Sequence, residues 1–307
     1  MAATTLTSNR QYHDTSSAYV LPNDAVEHNR LDAQAAAIVT MIGGVPKLAP
    51  SQIFANPETI ADIGCGTGVA TIQLANMFPD ARVYGVDLSP VSEAAKGMAP
   101  GNVTWIQGDI IDPDPEKSDI NSIKSRFANE GLNYLFGRML FLGINDWPRY
   151  FETCAQLLRS GGIIEHQDLD WDFYRVGTNE CLSTNWEWHR ATLDACRKTG
   201  LSISAGSSAA SRMREAGLDI VSTQTFEFSF VPSKQAPNSQ AMGRYVQAKL
   251  IPQYPELLRK MLSTIGITGS KLEKLTQDCL RDLASEEGIH QKYTVTIARK
   301  AYAVIAE

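Results

Sequence analysis

One short segment constrains this chain more than any other. Residues Ala61-Asp62-Ile63-Gly64-Cys65-Gly66-Thr67-Gly68 place a glycine-dense turn between two segments of different periodicity. Thr59 to Ile63 is a short apolar run suited to a strand, and Val69 to Met77 reads as a helix. Glycines let the backbone turn tightly and approach a ligand that a Cβ would block. The free N–H groups at the start of the following helix favour a carboxylate or phosphate. Asp62, at the strand's end, offers an acceptor for an amine or hydroxyl. A dinucleotide loop is the first alternative, with the pattern G-x-G-x-x-G. Counted from Gly64, its last position falls on Val69; counted from Gly66, it falls on Thr71. Neither register fits. The spacing present is D-x-G-x-G-x-G, with the acid ahead of the loop.

The same alternation continues downstream. Strands are expected at Arg82 to Val86, Val103 to Gln107, Asn133 to Phe136 and Ile163 to Gln167. Helices are expected at Ser92 to Met98, Asn121 to Asn129 and Trp147 to Arg159, the last stopped by Gly161-Gly162. Strands alternating with helices over short connections predict a parallel sheet covered on both faces. Upstream, Asp24 and Glu27 stand at capping-box spacing before a helix with the stripe Val26, Leu31, Ala35, Ile38 and Val39, ended by Gly43-Gly44. Residues 1–18 are polar and read as an arm. Beyond residue 168 a long helical region runs to about 217, followed by an alternating strand at Val221 to Phe230. Helical pieces broken by Pro252 and Pro255 come next, then a capping box at Ser270-Lys271-Leu272-Glu273 and a last strand within Tyr293 to Ile305. The expectation is an α/β, Rossmann-like, seven-stranded, mostly parallel sheet with helices on both faces, an N-terminal helical arm and helical substrate-cover insertions.

Composition excludes several functions. The chain has 307 residues, of which 43% are hydrophobic and 20% charged, enough for a full core and too little charge for a disordered chain. A net charge of −6 argues against nucleic acid as a partner. The N-terminus lacks a basic region followed by an apolar one, so no secretory signal is expected, and Ala33 to Val45 is too short to span a bilayer. The five cysteines are scattered without a C-x-x-C pair, which points to reduced thiols in a cytoplasmic protein. The five histidines form no H-x-x-x-H pair, so no metal site is expected.

Three further features join the glycine loop. Asp87 ends the second strand in Val83-Tyr84-Gly85-Val86-Asp87-Leu88-Ser89, 25 residues after Asp62, where a carboxylate can accept both hydroxyls of a ribose. Gly108-Asp109-Ile110 follows the third strand, and Gly161-Gly162 precedes the fifth. In this order, over about residues 58–168, the chain resembles the class I S-adenosylmethionine (SAM)-dependent methyltransferases. Tyr19-Val20-Leu21-Pro22-Asn23-Asp24 with Glu27, Arg30, Leu31 and Gln34, then Phe136-Gly137-Arg138-Met139-Leu140 and Asp146-Trp147-Pro148, resemble the fungal LaeA-like group, many of whose members act in secondary metabolism. The resemblance implies S-adenosyl-L-methionine as cofactor, held by Tyr19, Arg30, Asp62, Gly64, Cys65, Gly66, Gly68, Asp87, Leu88, Gly108, Asp109 and Ile110. Within that set it implies Tyr19 and Arg30 closing over the cofactor, Arg30 near the methionine carboxylate, and Asp109 facing the adenine amino group. It divides a single domain into a cofactor-covering arm and helix (1–57), a SAM-binding core (58–168), substrate-cover helices (169–220 and 231–290) and final strands (221–230 and 291–307). Two positions depart from the group's pattern: Asn133-Tyr134 stands where Phe-Asp is common, and Gly137 where His is frequent.

Methyl transfer from a sulfonium is an in-line displacement, and an oxygen acceptor usually needs a base. His166, at the end of the fifth strand, is the candidate base, with His13 on the N-terminal arm as its rival. Trp171 and Phe173, within the aromatic and acidic stretch from Asp168 to Trp188, are candidates for holding a flat or cationic substrate. Arg138, after the fourth strand, is a substrate anchor or an ion-pair partner, and Cys65 a small filler. The functional expectation is transfer of a methyl group to the oxygen or nitrogen of a small, aromatic natural product, by a monomer or a homodimer. Two alternatives stand beside it: a LaeA-like regulator acting through a protein partner, and a SAM-fold protein doing non-methyl chemistry such as cyclisation.

Overall fold

The computed structural model describes residues 24–47, 57–111, 131–178, 180–285 and 288–302. The expected arm, including His13 and Tyr19, and the expected helix at Asn121 to Asn129 lie outside these residues.

Seven strands form one sheet: β1 (Thr59–Ile63), β2 (Arg82–Asp87), β3 (Val103–Gln107), β4 (Leu132–Arg138), β5 (Leu158–Arg175), β6 (Leu218–Ser229) and β7 (Ile289–Lys300). Their order is β3-β2-β1-β4-β5-β7-β6. The pairs from β3 through β5 are all parallel, while β7 runs antiparallel to both of its neighbours. This is the expected Rossmann-like, mostly parallel sheet. β1 is buried along its whole length and β4 along nearly all of it, as central strands covered on both faces must be.

Helix α1 (Ala25–Ile42) starts as the capping residues predict, with the Glu27 N–H donating to the Asp24 carboxylate at 3.0 Å, and ends on left-handed Gly43. Its buried face differs from the expected one. Val26 is 60% exposed, whereas Glu27, Arg30 and Gln34 are almost completely buried, in line with Ile38 and Met41. The positions follow helical spacing, but the N-terminal half of the stripe is polar. Helices α2 (Val69–Met77) and α3 (Glu93–Met98) follow the glycine loop and β2. Helix α4 (Trp147–Leu157) is capped by Asp146 and lies against the opposite face of the sheet, where Trp147, Tyr150 and Phe151 pack with Leu135 and Ile164.

Past residue 168 the structure corrects the expectation of a continuous helical region. β5 extends to Arg175. Leu169, Trp171 and Phe173 alternate with Asp168, Asp170 and Asp172, the period-two pattern of a strand, and the first three join the larger core. Two separate helices follow, α5 (Glu187–Thr199) and α6 (Ala205–Glu215). Helix α6 packs beside α4 on the far face of the sheet, so residues 169–220 do not act together as a cover. On the near face α7 (Gln240–Tyr245), α8 (Tyr254–Ser263) and α9 (Gly269–Ser285) pack with α1 and α5. The buried face of α9 holds Leu275, Cys279 and Leu283, the side expected from its periodicity.

Candidate functional site

A cleft opens at the C-terminal tips of β1 to β4 and is roofed by α1. Its empty space is about 1320 Å³, part of it open to solvent. The turn after β1 builds the floor. Gly64 and Cys65 donate their backbone N–H groups to the Val86 carbonyl at 2.8 and 3.0 Å, which pins the loop to β2. Asp87 then reaches across: it accepts from the Gly66 N–H at 2.8 Å and from the Ser89 N–H at 2.9 Å. These bonds fix the orientation of its carboxylate at the edge of the cleft. Asp109 closes the far side, accepting from the Ile111 N–H at 2.8 Å, with Gly108 and Ile110 beside it.

Asp62 lines the cleft from the tip of β1 and is 2% exposed. The Thr71 hydroxyl donates to one of its oxygens at 2.6 Å. Burial raises its carboxyl to about 6, against the opposing pull of Thr71 and of the Arg138 charge. The group is therefore an anion held at a cost, poised for a cationic partner. Cys65 also lines the cleft but packs with Val91, Ala95 and Trp105, and burial pushes its thiol well above the usual range, as suits a filler.

Ten of the proposed cofactor and substrate residues meet at this cleft: Asp62, Gly64, Cys65, Gly66, Asp87, Leu88, Gly108, Asp109, Ile110 and Arg138. Gly68 does not. It stands at the start of α2 with φ +81°, and a Cβ there would lie 2.5 Å from the Trp105 ring, so it serves packing and the turn. Arg30 faces elsewhere as well. Its Nε donates to Glu27 at 2.9–3.0 Å and its Nη1 to the Tyr245 hydroxyl at 2.6 Å, which ties α1 to α7. Arg30, which the resemblance placed near the methionine carboxylate, is not among the residues lining this cleft. His28, Leu31, Gln34 and Ile38 on α1 also line the cleft and were not among the candidate site residues, because a helical stripe does not show which of its turns face a cavity.

A second chamber, with about 610 Å³ of empty space, adjoins the first. Leu31, Gln34 and Met139 line both, and Met139 sits in the left-handed region at φ 57°. Phe141, Trp171, Phe228, Tyr254 and Leu257 form largely apolar walls, with Arg30 and Gln291 as polar points. Trp171 packs edge-on against Phe141, ring centres 5.3 Å apart. Phe173 reaches neither cavity. It is fully buried among Trp186, Trp188, His189 and Phe230, so it is a core residue rather than a substrate contact.

His166 is corrected too. It is fully buried on the far face of the sheet, against Trp147, Tyr150 and Phe151. Neither ring nitrogen has a hydrogen-bond partner, and burial drives its basicity down to about 3. An imidazole so placed lines neither cavity and is uncharged at neutral pH. The same packing explains Gly137: a Cβ there would lie 2.6 Å from the Tyr150 hydroxyl and 3.6 Å from the His166 ring. Asn133, the other departure, accepts from the Glu58 and Thr59 N–H groups and anchors the start of β1.

Known proteins share parts of this sequence. The family description "Methyltransferase domain" matches residues 60–162. Methyltransferase pytC of Aspergillus terreus is 26% identical over 95% of this chain and 87% of its own length. The secondary metabolism regulator laeA of Coprinopsis cinerea is 25% identical over 94% of this chain and 71% of its own. A putative sarcosine dimethylglycine methyltransferase from Galdieria sulphuraria shares 17% identity over 89% of this chain and 86% of its own, with a TM-score of 0.46. The chain carries a methyltransferase domain, resembles the LaeA-like proteins, and has S-adenosyl-L-methionine as its cofactor. The cleft suits that molecule. Its carboxylates Asp62, Asp87 and Asp109 match an ammonium, ribose hydroxyls and an adenine amine, and a cation is at hand for a carboxylate.

Proposed function

We propose that this protein transfers a methyl group from S-adenosyl-L-methionine to an oxygen or nitrogen of a small aromatic natural product in fungal secondary metabolism. The observation that carries the reading is the pairing of a carboxylate-lined cleft with an aromatic-walled chamber through the shared residues Leu31, Gln34 and Met139. The cofactor supplies an already activated methyl group, so the protein's part is alignment and exclusion of water. Asp87 and Asp109 orient the nucleoside end. Trp171, Phe141 and Tyr254 offer flat apolar faces to the acceptor. With His166 sealed in the core, any base for an oxygen acceptor comes from another group, and His13 on the arm keeps its candidacy.

The relatives' printed names, a methyltransferase and a secondary metabolism regulator, support both the activity and its setting. The net charge of −6 favours a small acceptor over a nucleic acid. All five cysteines are unpaired thiols, which agrees with a cytoplasmic location. No helix among the described residues is long and apolar enough to cross a membrane. The test is mass spectrometry of metabolite extracts incubated with the protein and methyl-labelled S-adenosyl-L-methionine. A labelled aromatic product together with S-adenosyl-L-homocysteine is expected. Label appearing on protein alone would overturn the small-molecule reading.

A further inference from the structure

The cleft contains more negative groups than positive ones. Among the described residues lining it, Glu27, Asp62, Asp87 and Asp109 are acids, and Arg138 is the one lysine or arginine. Glu27 has its counter-charge in Arg30. Arg30 is in turn occupied by Glu27 and Tyr245, and it lines the second chamber rather than the cleft. Arg138 is different. Its guanidinium lies over the Phe136 ring at 5.8 Å, and its Nη1 is buried without a hydrogen-bond partner. Leaving a buried, charge-bearing donor unsatisfied is costly, and one that faces a cleft is suited to meet a ligand.

The position of Arg138 identifies the ligand group. It ends β4, and Asp62 lies near the tip of β1, the strand paired with β4 in the register Asp62↔Phe136 and Ile63↔Gly137. Its charge is close enough to lower the Asp62 carboxyl against the upward push of burial. Two opposite charges thus line the cleft from neighbouring strands, offset diagonally by two residues, one an acceptor for a cation and the other a donor for an anion. That is the complement of an α-amino acid zwitterion. A guanidinium also presents paired N–H groups in the geometry a carboxylate accepts.

We infer that Arg138 is the carboxylate receptor of the cleft, and that with Asp62 it reads the amino-acid end of the methyl donor. The assignment rests on the donor proposed above and gives Arg138 the role that family resemblance had implied for Arg30.

The test is isothermal titration of the full chain with two probes. S-adenosyl-L-homocysteine carries the ammonium and carboxylate. 5′-Methylthioadenosine keeps the nucleoside and thioether and lacks both charges. Arg138→Met is expected to weaken S-adenosyl-L-homocysteine about 10- to 100-fold, the weight of a charge-assisted bond, and to leave 5′-methylthioadenosine within about twofold. Arg138→Lys, which keeps the charge and loses the fork, is expected to recover part of the loss. Unchanged S-adenosyl-L-homocysteine affinity in Arg138→Met overturns the proposal, as does an equal loss for both probes, which would mark a merely structural role. A wild-type protein that binds neither probe overturns the donor reading and this proposal with it.

Discussion

The two cavities are built in opposite ways. The donor cleft is local: Asp62 to Cys65, Val86 to Pro90 and Gly108 to Ile110 are three short segments, each following directly from a parallel strand. Its polar groups are carboxylates fixed by backbone N–H donors, joined by Arg138 at the tip of β4. The second chamber is non-local. Its walls come from α1, the turn after β4, the far end of β5, and β6, β7 and α8. Its lining is mostly apolar surface rather than charge. Local construction tolerates divergence elsewhere and favours one invariant ligand. Non-local construction lets the acceptor space change whenever a covering helix changes. Damage to one cavity should therefore leave the other's ligand largely unaffected.

Asp87 offers the strongest way to break that independence. Its carboxylate holds the Gly66 and Ser89 N–H groups while facing the cleft. Asp87→Ala removes two backbone anchors and the acceptor for ribose hydroxyls together. A loss of about 100-fold in S-adenosyl-L-homocysteine affinity by titration is expected, from about 3 kcal/mol of charge-assisted bonds. A loss below threefold would mean the carboxylate serves only the loop.

Gly68→Ala probes the floor of the same cleft through stability. The added Cβ enters the Trp105 ring at 2.5 Å and forces φ +81° on an L-residue. Left-handed strain and overpacking together cost about 2–4 kcal/mol. The melting temperature is expected to fall by roughly 3–6 °C in a thermal scan. An unchanged melting temperature would show that the loop relaxes freely.

The contrast between cavities also explains what the sequence made legible. The strands of the first half and the groups Asp62, Gly64, Gly66, Asp87 and Asp109 were readable because each signal is a few adjacent residues with one local cause. The rest was hidden for identifiable reasons. The polar stripe Glu27, Arg30, Gln34 on α1 fails a hydrophobicity reading, because that part of the helix faces cavities and a partner hydroxyl rather than a core. β5 beyond Gln167 was masked by its aspartates; Asp168, for one, satisfies the turn after β4, accepting from the Leu140 N–H at 2.9 Å. His166 stood at the end of the strand expected from the sequence, but the side of the sheet it faces, against α4, depends on the pleat, which alternation in so buried a stretch does not orient.

Asp62 sharpens the comparison through pH. Its carboxyl is raised to about 6 by burial, so it is protonated below that pH and cannot pair with the donor's ammonium. At pH 5, S-adenosyl-L-homocysteine is expected to bind about tenfold more weakly than at pH 7, by the one-unit protonation penalty. The free protein should respond in the opposite direction. A carboxyl raised above its unfolded value contributes stability that is present below the unfolded pKa, near 4, and lost as pH rises through about 6. Asp62→Asn keeps an acceptor for Thr71, and should raise the melting temperature at pH 7 while flattening the pH dependence of donor affinity. Persistence of that dependence in the variant would assign it to another group.

The smallest expected effect belongs to the second chamber. Trp171 is 3% exposed and forms part of its wall, in edge contact with Phe141. Trp171→Phe keeps an apolar ring there and enlarges the space by the missing five-membered ring. Because this wall shares no charged group with the cleft, S-adenosyl-L-homocysteine affinity should stay within about twofold of wild type. For an acceptor found by labelled-methyl screening, KM is expected to rise by about three- to tenfold, the worth of one to two buried methylene groups. Turnover at saturating acceptor should fall less, since ground-state fit is lost more than alignment. Donor affinity falling in step with KM would mean the two cavities form one cooperative site joined through Met139. An unchanged KM would place the acceptor outside this chamber.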